Sequence, residues 1–326
     1  MKRAIAITSK SSTPSRNDGA IRALRPPRRP VDPWKAFGSA ADDERRPGGV
    51  VERALTLFLA GAECAFTCSF CDLWQYTIEG RTPPGALPRQ VMESLASLDG
   101  ATFDRVKLYN ASNFFDRRAV PIEDWPALAK LCSPFAAVTV ESHASMVGPP
   151  TIEFARQLGS ARLEVAMGLE TTHPGARAHL NKHLDLGRFQ AAADFLLQNA
   201  IDLRVFVLLG TPHIPADDQI DSTVRSVEFA AKCGASIISI IPVRGGNGEI
   251  ERLQSLGLFT PPTIGHLERA LDVCLHIDDA VVTVDLWDID KLVTCAACSE
   301  ERIARLRRLN ISGIAEPPVN CDQCND

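Results

Sequence analysis

Glu63-Cys64-Ala65-Phe66-Thr67-Cys68-Ser69-Phe70-Cys71-Asp72 gathers three cysteines within eight residues, with three residues between the first pair and two between the second. Three thiolates on one short loop can bind three corners of a cubic iron–sulfur cluster. No fourth cysteine is close in sequence, since the next is Cys132. One iron would then stay open, and an open position is what separates a reactive metal centre from a closed structural one. The competing reading is a zinc knuckle, or three thiols that merely lie near one another. Zinc sites are built from paired Cys-x2-Cys, and this spacing differs.

The loop follows a short apolar run, Leu55-Thr56-Leu57-Phe58-Leu59. Similar runs recur downstream: Val106–Tyr109, Ala137–Val140, Leu163–Met167, Leu203–Leu209 and Ile237–Ile241. Between them lie stretches of helical periodicity: Pro88–Leu98, Asp124–Cys132, Thr151–Leu158, Leu186–Gln198 and Ala216–Cys233. Strands alternating with helices indicate βα units on a parallel sheet. Six units fit an α/β fold, a partial (βα)6 TIM-like barrel, with Ala280–Leu286 as an added edge strand. A doubly wound open sheet is equally compatible. In either fold the loops after strand C-termini carry the site, and the cysteine loop is such a loop.

The chain has 326 residues and a formal charge of −5. Residues 1–50 carry 11 basic against 5 acidic side chains, a net +6, and the remainder 24 against 35, a net −11. An acidic body argues against a broad nucleic-acid-binding face. Three regions follow: a basic Pro/Arg-rich arm over 1–49, the barrel over 50–290, and a cysteine-bearing module over 291–326. The arm, centred on Arg25-Pro26-Pro27-Arg28-Arg29-Pro30, reads as extended or disordered, with Trp34 and Phe37 pinning its end. Its basic side chains suit a phosphate-bearing substrate. No apolar run reaches 18 residues, so no membrane span is expected. The apolar stretch after Met1-Lys2-Arg3 is too short for a secretory signal. The cysteine grouping indicates metal binding in a reducing cytoplasm rather than a disulfide scaffold.

The other strand ends carry polar groups: Asn110-Ala111-Ser112-Asn113, Glu141-Ser142-His143, Gly168-Leu169-Glu170-Thr171 and then Asn181-Lys182. Each has an ordinary alternative as a helix cap or exposed loop residue; His143 and His183 are read as exposed. Gly210-Thr211-Pro212 reads as a tight turn. Arg244-Gly245-Gly246-Asn247-Gly248 reads as a flexible loop whose N–H groups can cradle an anion, with Arg244 a candidate for a carboxylate or phosphate. Cys132, Cys233 and Cys274 read as packing residues.

Cys-x3-Cys-x-aromatic-Cys, with Phe70 at the aromatic position, resembles the signature of the radical S-adenosylmethionine (radical SAM) superfamily. The resemblance implies a 4Fe-4S cluster on Cys64, Cys68 and Cys71, with SAM chelated by the open iron. It implies reductive cleavage of SAM to methionine and a 5′-deoxyadenosyl radical that abstracts hydrogen from a substrate. Phe70 would pack near the adenine, and Asn110, Ser112, Glu141, Glu170 and Lys182 would hold SAM. The family often has Gly-Gly-Glu after the second strand, where this chain has Asn110-Ala111-Ser112. Its Gly-x-Pro matches Gly210-Thr211-Pro212 and would let the backbone approach SAM.

Leu-Tyr-Asn-x-Ser, Val-Glu-Ser, Met-Gly-Leu-Glu-Thr, Asn-Lys and Gly257–Pro262 together resemble one branch, that of archaeosine-biosynthesis radical SAM proteins and, more distantly, the elongator catalytic subunit. That branch implies a modified tRNA base as substrate. A small metabolite or natural-product intermediate is the next reading, then methyl or methylthio transfer. An iron–sulfur electron carrier and a zinc-ribbon interaction protein complete the alternatives. A reductant such as flavodoxin or ferredoxin is the implied partner. No residue is nominated as acid, base or hydrogen donor toward the substrate.

Cys295-Ala296-Ala297-Cys298 and Cys321-Asp322-Gln323-Cys324 form two further pairs. Between them Ser299–Asn310 reads as a helix ending at Asn310. Four thiolates in two pairs match a four-cysteine site, holding zinc or an auxiliary iron–sulfur cluster. Either would tie the tail back to the barrel.

Overall fold

A charged strand, β1 (Gly38–Arg45), precedes seven parallel ones: β2 (Val51–Phe58), β3 (Arg105–Tyr109), β4 (Ala137–Ser142), β5 (Arg162–Glu170), β6 (Asp202–Leu209), β7 (Ile237–Pro242) and β8 (Val281–Val284). They belong to a computed structural model that describes residues 17–324. Each strand pairs with the next in one eight-stranded sheet, antiparallel only between β1 and β2. This sequential order excludes the doubly wound alternative, whose strand order reverses part-way. The helices are α1 (Asp18–Arg22), α2 (Ala86–Ala96), α3 (Trp125–Cys132), α4 (Pro149–Gln157), α5 (Pro174–Arg177), α6 (Leu186–Gln198), α7 (Gln219–Lys232), α8 (Glu249–Ser255), α9 (Ile264–Cys274) and α10 (Ser299–Ser312). The architecture is a nearly closed α/β barrel.

The main core lies between sheet and helices. Leu57, Leu108, Val140, Val165 and Val205 meet Trp125, Phe154 and Phe189 there, all buried. Burying each such side chain contributes on the order of 1.5–3 kcal/mol. Cys132, Cys233 and Cys274 are buried in this core, as packing residues should be.

The opposite face of the strands lines the barrel interior, and its N-terminal end is filled with charge. Glu164 accepts from Arg204 Nε and Thr139 Oγ1, both at 2.9 Å, and pairs with Arg46 at 2.8 Å. Arg105 lies between Glu164 and Glu52. Glu44 pairs with Arg204 and Lys107. Buried charges persist only when paired and hydrogen-bonded in this way. These pairs account for β1. Gly38–Arg45 has no apolar or β-branched run, and it is held by its ladder to β2 and by Glu44 inside the barrel.

The arm expected to be extended or disordered over 1–49 is ordered over its described part, with α1, an irregular stretch and the strand β1. Residues 1–16 lie outside the described residues. From Asn17 onward, the segment forms a strap over the barrel mouth. Ile21 is only 2% exposed. Arg25 and Arg28 pair with Glu63, immediately before Cys64, and lie over the Trp74 ring. Gly248 passes beneath Leu24, and a Cβ there would collide with the Leu24 carbonyl. Gln90 Nε2 donates to Pro33 O at 2.6 Å. Local composition could not reveal this order, because every partner is far away in sequence.

The barrel is not closed by hydrogen bonds between β8 and β1. α10 packs on both edges. The Asn310 side chain exchanges two bonds with Val284, accepting from its N at 2.9 Å and donating to its O at 2.8 Å. The helix runs on to Ser312 and is capped by Gly313, which has a positive φ of 64°. Asn310 is therefore an edge mimic of a strand residue, not the helix end.

Candidate active site

The cysteine loop leaves β2 and spans the mouth, bound to loops from three other strands. Its polar backbone needs partners. Ser69 N donates to Leu180 O at 2.9 Å. Asn181 Nδ2 donates to Thr67 O, and Asn247 Nδ2 to Ser69 O, each at 2.7 Å. Phe66 stacks on His143 with ring centroids 3.9 Å apart.

The three thiols lie close enough to influence one another. Burial pushes Cys68 up to about 12, helped by the Cys64 and Glu170 charges. Burial likewise raises Cys71 and Cys64. A cationic centre bound there would stabilise thiolates instead. Cys64 Sγ accepts from Asn113 Nδ2 at 3.1 Å and from Phe66 N at 3.4 Å. Phe70 packs its ring against Leu208, Val243, Ile250, Leu253 and Phe259.

Lys182 and Glu170 form an ion pair of 2.6 Å beside these thiols. Burial works against the Lys182 charge, but Glu170, then Cys68 and Cys64, hold its pKa above the ordinary value. Glu170 sits at a β-bulge with φ of 67°, a left-handed conformation that costs a non-glycine residue energy. A Cβ on Gly168 would collide with Glu170 Oε1 and Lys182 Nζ, so glycine there makes room for the pair.

Asn110 is 1% exposed, and neither atom of its amide has a partner. The hydroxyls of Ser112 and Thr67 are also buried and unpartnered. Unmet buried polar groups are costly and mark a place for a ligand. Half-buried Glu141 makes no side-chain hydrogen bond among the described residues, and lost hydration pushes its carboxyl up to about 8. The donor set fits a cluster on three thiols beside a zwitterion with hydroxyl groups: an amide and a hydroxyl, two carboxylates and one ammonium.

Several expectations change. His143 is buried rather than exposed. Its Nδ1 accepts from Ser145 N at 3.1 Å and its Nε2 meets Lys182 O at 3.0 Å. Burial lowers its pKa to about 4, so it braces the loop as a neutral ring. His183 is exposed, as read. The glycine-rich loop offers no free anion cradle, because the Glu251 carboxylate accepts from Gly246 N at 2.5 Å and Gly248 N at 2.8 Å. Arg244 is bound to Asp285 at 2.9 Å and to Trp287 O. Gly210 has a positive φ of 78°, and the space beside it is filled by Pro262. Asn113, Asn181 and Asn247 are the site residues that sequence reasoning passed over. All three lie in the loops it singled out, but their bonds reach across the chain and leave no local pattern. At the other end of the chain, Cys295, Cys298, Cys321 and Cys324 converge, with all four sulfurs within 4.8 Å of one another.

No protein-family model matches the chain, and no curated protein sequence matches it. Solved structures do. Methylornithine synthase superposes with a TM-score of 0.54 at 16% identity, over 78% of this chain and 68% of its own. The Elp3 of the archaeon Methanocaldococcus infernus, lacking its N-terminus, gives 0.53 at 13%, over 71% and 62%. HydG, a maturase of the [FeFe]-hydrogenase, gives 0.52 at 13%, over 78% and 54%. At such identities the agreement is one of fold. Among the described residues no helix is long and apolar enough to cross a membrane.

Proposed function

We propose that the chain is a radical SAM enzyme. The observation that carries this is the pairing, at one barrel mouth, of the three-thiol loop with the unpartnered amide of Asn110 and hydroxyl of Ser112. Cys64, Cys68 and Cys71 would hold a 4Fe-4S cluster, which would supply the electron for reductive cleavage of SAM. The protein's part is binding, orientation and exclusion of water. Asn110 and Ser112 gain the hydrogen bonds they lack when SAM is bound. Lys182, held protonated, would meet the SAM carboxylate, while Glu170 and Glu141 would accept from its ammonium and ribose hydroxyls. Phe70 packs toward the adenine. The strap roofs the loop, limiting solvent at the radical.

The substrate proposed is a modified tRNA base, on the strength of the motif resemblance to the archaeosine branch. A second reading, a small metabolite in a reducing cytoplasm, is favoured by the strap itself. Arg25 and Arg28 are committed to Glu63 rather than free for phosphates, and the body outside residues 1–50 carries 24 basic against 35 acidic side chains. The electron would come from a reductant such as flavodoxin or ferredoxin.

The test is anaerobic reconstitution, reduction with dithionite and assay of 5′-deoxyadenosine from SAM, with bulk tRNA or a small-molecule extract added. Product formation by wild type and none by Cys68→Ala is expected. Equal product from both would remove the catalytic assignment. Stimulation by tRNA supports the first substrate reading, and stimulation by the extract alone the second.

A further inference from the structure

The four C-terminal sulfurs are arranged for one ion rather than for a cluster. Sulfurs bound at about 2.3 Å around a single tetrahedral ion lie about 3.8 Å apart. Cys295 and Cys321 Sγ are 3.9 Å apart, Cys298 and Cys324 Sγ 3.6 Å, and all four lie within 4.8 Å of one another. In a cubic cluster each cysteine sulfur sits on its own iron, which spreads the four well beyond this. Among the described residues this is the one group of three or more metal-type ligands so gathered; Cys64, Cys68 and Cys71 are not. Four thiolates around a divalent ion leave two negative charges. Arg302 is placed against them, with Nε donating to Cys298 Sγ at 3.3 Å.

The surroundings give the ion a task. Cys298 is the N-cap of α10, and Cys321 and Cys324 bring the returning tail beside it. Arg302 pairs with Glu268 of α9. Arg305 pairs with Glu268 and Asp272, and donates to Glu316 O at 2.6 Å and Pro317 O at 2.9 Å. The site thus fixes the start of α10 on α9 and binds the tail along it. Further along α10, Asn310 completes the β8 edge through Val284. Arg45 of β1 donates to Val282 O at 3.2 Å and to Asn310 O at 3.5 Å. One helix carries Cys298 at its N-cap and, further along, Asn310, which bridges the two unpaired sheet edges.

We propose that Cys295, Cys298, Cys321 and Cys324 bind a single thiophilic divalent ion, zinc by its chemistry, and that this ion is the clasp holding α10 in the seam between β8 and β1. Binding releases the thiol protons to solvent and moves no electron. The clasp is independent of the reaction carried at the mouth.

The test uses the full chain with Cys64, Cys68 and Cys71 replaced by alanine, so that the mouth cannot hold iron. Metal and sulfide are counted after growth and after reconstitution with iron and sulfide. One zinc and no iron is expected. Four irons with sulfide, or no metal even after added zinc, would overturn the ion. Hydrogen exchange is then compared before and after zinc is stripped with a chelator. Amides of 38–45 and 281–284 are expected to exchange about tenfold faster on stripping. Faster exchange confined to 295–324 would overturn the clasp. Because a Cys298→Ser chain can fail to fold, Asn310→Ala provides the second arm. It should keep its zinc and still show faster exchange at 281–284. Unchanged exchange there would also overturn the seam role.

Discussion

The two ends of one barrel treat ionisable side chains in opposite ways. At the N-terminal end, Glu164 is met by Arg46, Arg105 and Arg204, and Glu44 by Lys107 and Arg204. At the mouth, Asn110 and Ser112 have no partners and Glu141 no hydrogen bond. Lys182 and Glu170 are paired there, beside three thiols that form no disulfide. The lower end is a plug whose charged groups pair with one another. The upper end is complete only with something bound. Buried polarity alone therefore does not mark a site; unpartnered buried groups gathered beside the thiol loop do.

The largest effect should come from breaking the plug. Glu164→Ala leaves Arg46, Arg105 and Arg204 facing an unneutralised interior and should cost about 3–5 kcal/mol in denaturant unfolding. Glu141→Gln removes no bond and should change stability by less than about 0.5 kcal/mol at about pH 4, where the carboxyl is protonated in both the folded and the unfolded chain. Similar losses at both positions would erase the contrast between the two ends.

The pH dependence should carry opposite signs at the two ends. Coulombic and hydrogen-bonded Arg204 and Lys107 overcome burial and lower Glu44 from 4.5 to about 2. Its contribution is present above about 4.5 and is lost as pH falls through about 2. Burial raises Glu141 from 4.5 to about 8. The folded state then holds a proton that the unfolded state releases, so stability from this group is full below about 4.5 and declines as pH rises through about 8. Melting temperatures of metal-free wild type and Glu141→Gln from pH 5 to 9 read this directly. Wild type should lose ground to the variant as pH rises; parallel curves would show that Glu141 ionises normally.

A smaller, local effect is expected at the ion pair beside the thiols. Gly168→Ala forces Glu170 and Lys182 apart. SAM affinity, measured by titration calorimetry, should fall about tenfold, equivalent to about 1.4 kcal/mol. Unchanged affinity would mean that the pair does not contact SAM.

How legible all this is in the sequence follows from which forces are local. Parallel strands covered on both faces must be near-continuous aliphatic runs, so β2 to β8 show through Leu55–Leu59 and its successors. The cysteine spacing is equally local. β1 is hidden because Gly-Ser-Ala-Ala-Asp-Asp-Glu-Arg carries no strand signal; its inward Glu44 bonds Lys107 and Arg204, 63 and 160 residues away. The strap is hidden for the same reason, since Glu63 and Gly248 lie far from Arg25 and Leu24. Asn310 looks like a helix end because asparagine favours that position, whereas its amide serves a strand edge. The glycine-rich loop looks like an anion cradle and is one, but Glu251 of the same chain fills it.

The most direct measurement is the electron paramagnetic resonance spectrum of the reduced, reconstituted protein with and without SAM. A mouth whose thiol loop leaves one iron open, beside groups awaiting a ligand, predicts a cluster signal that changes on adding SAM and is absent in Cys68→Ala. A signal indifferent to SAM, or one that persists in Cys68→Ala, would contradict the assignment of this mouth as a radical SAM site.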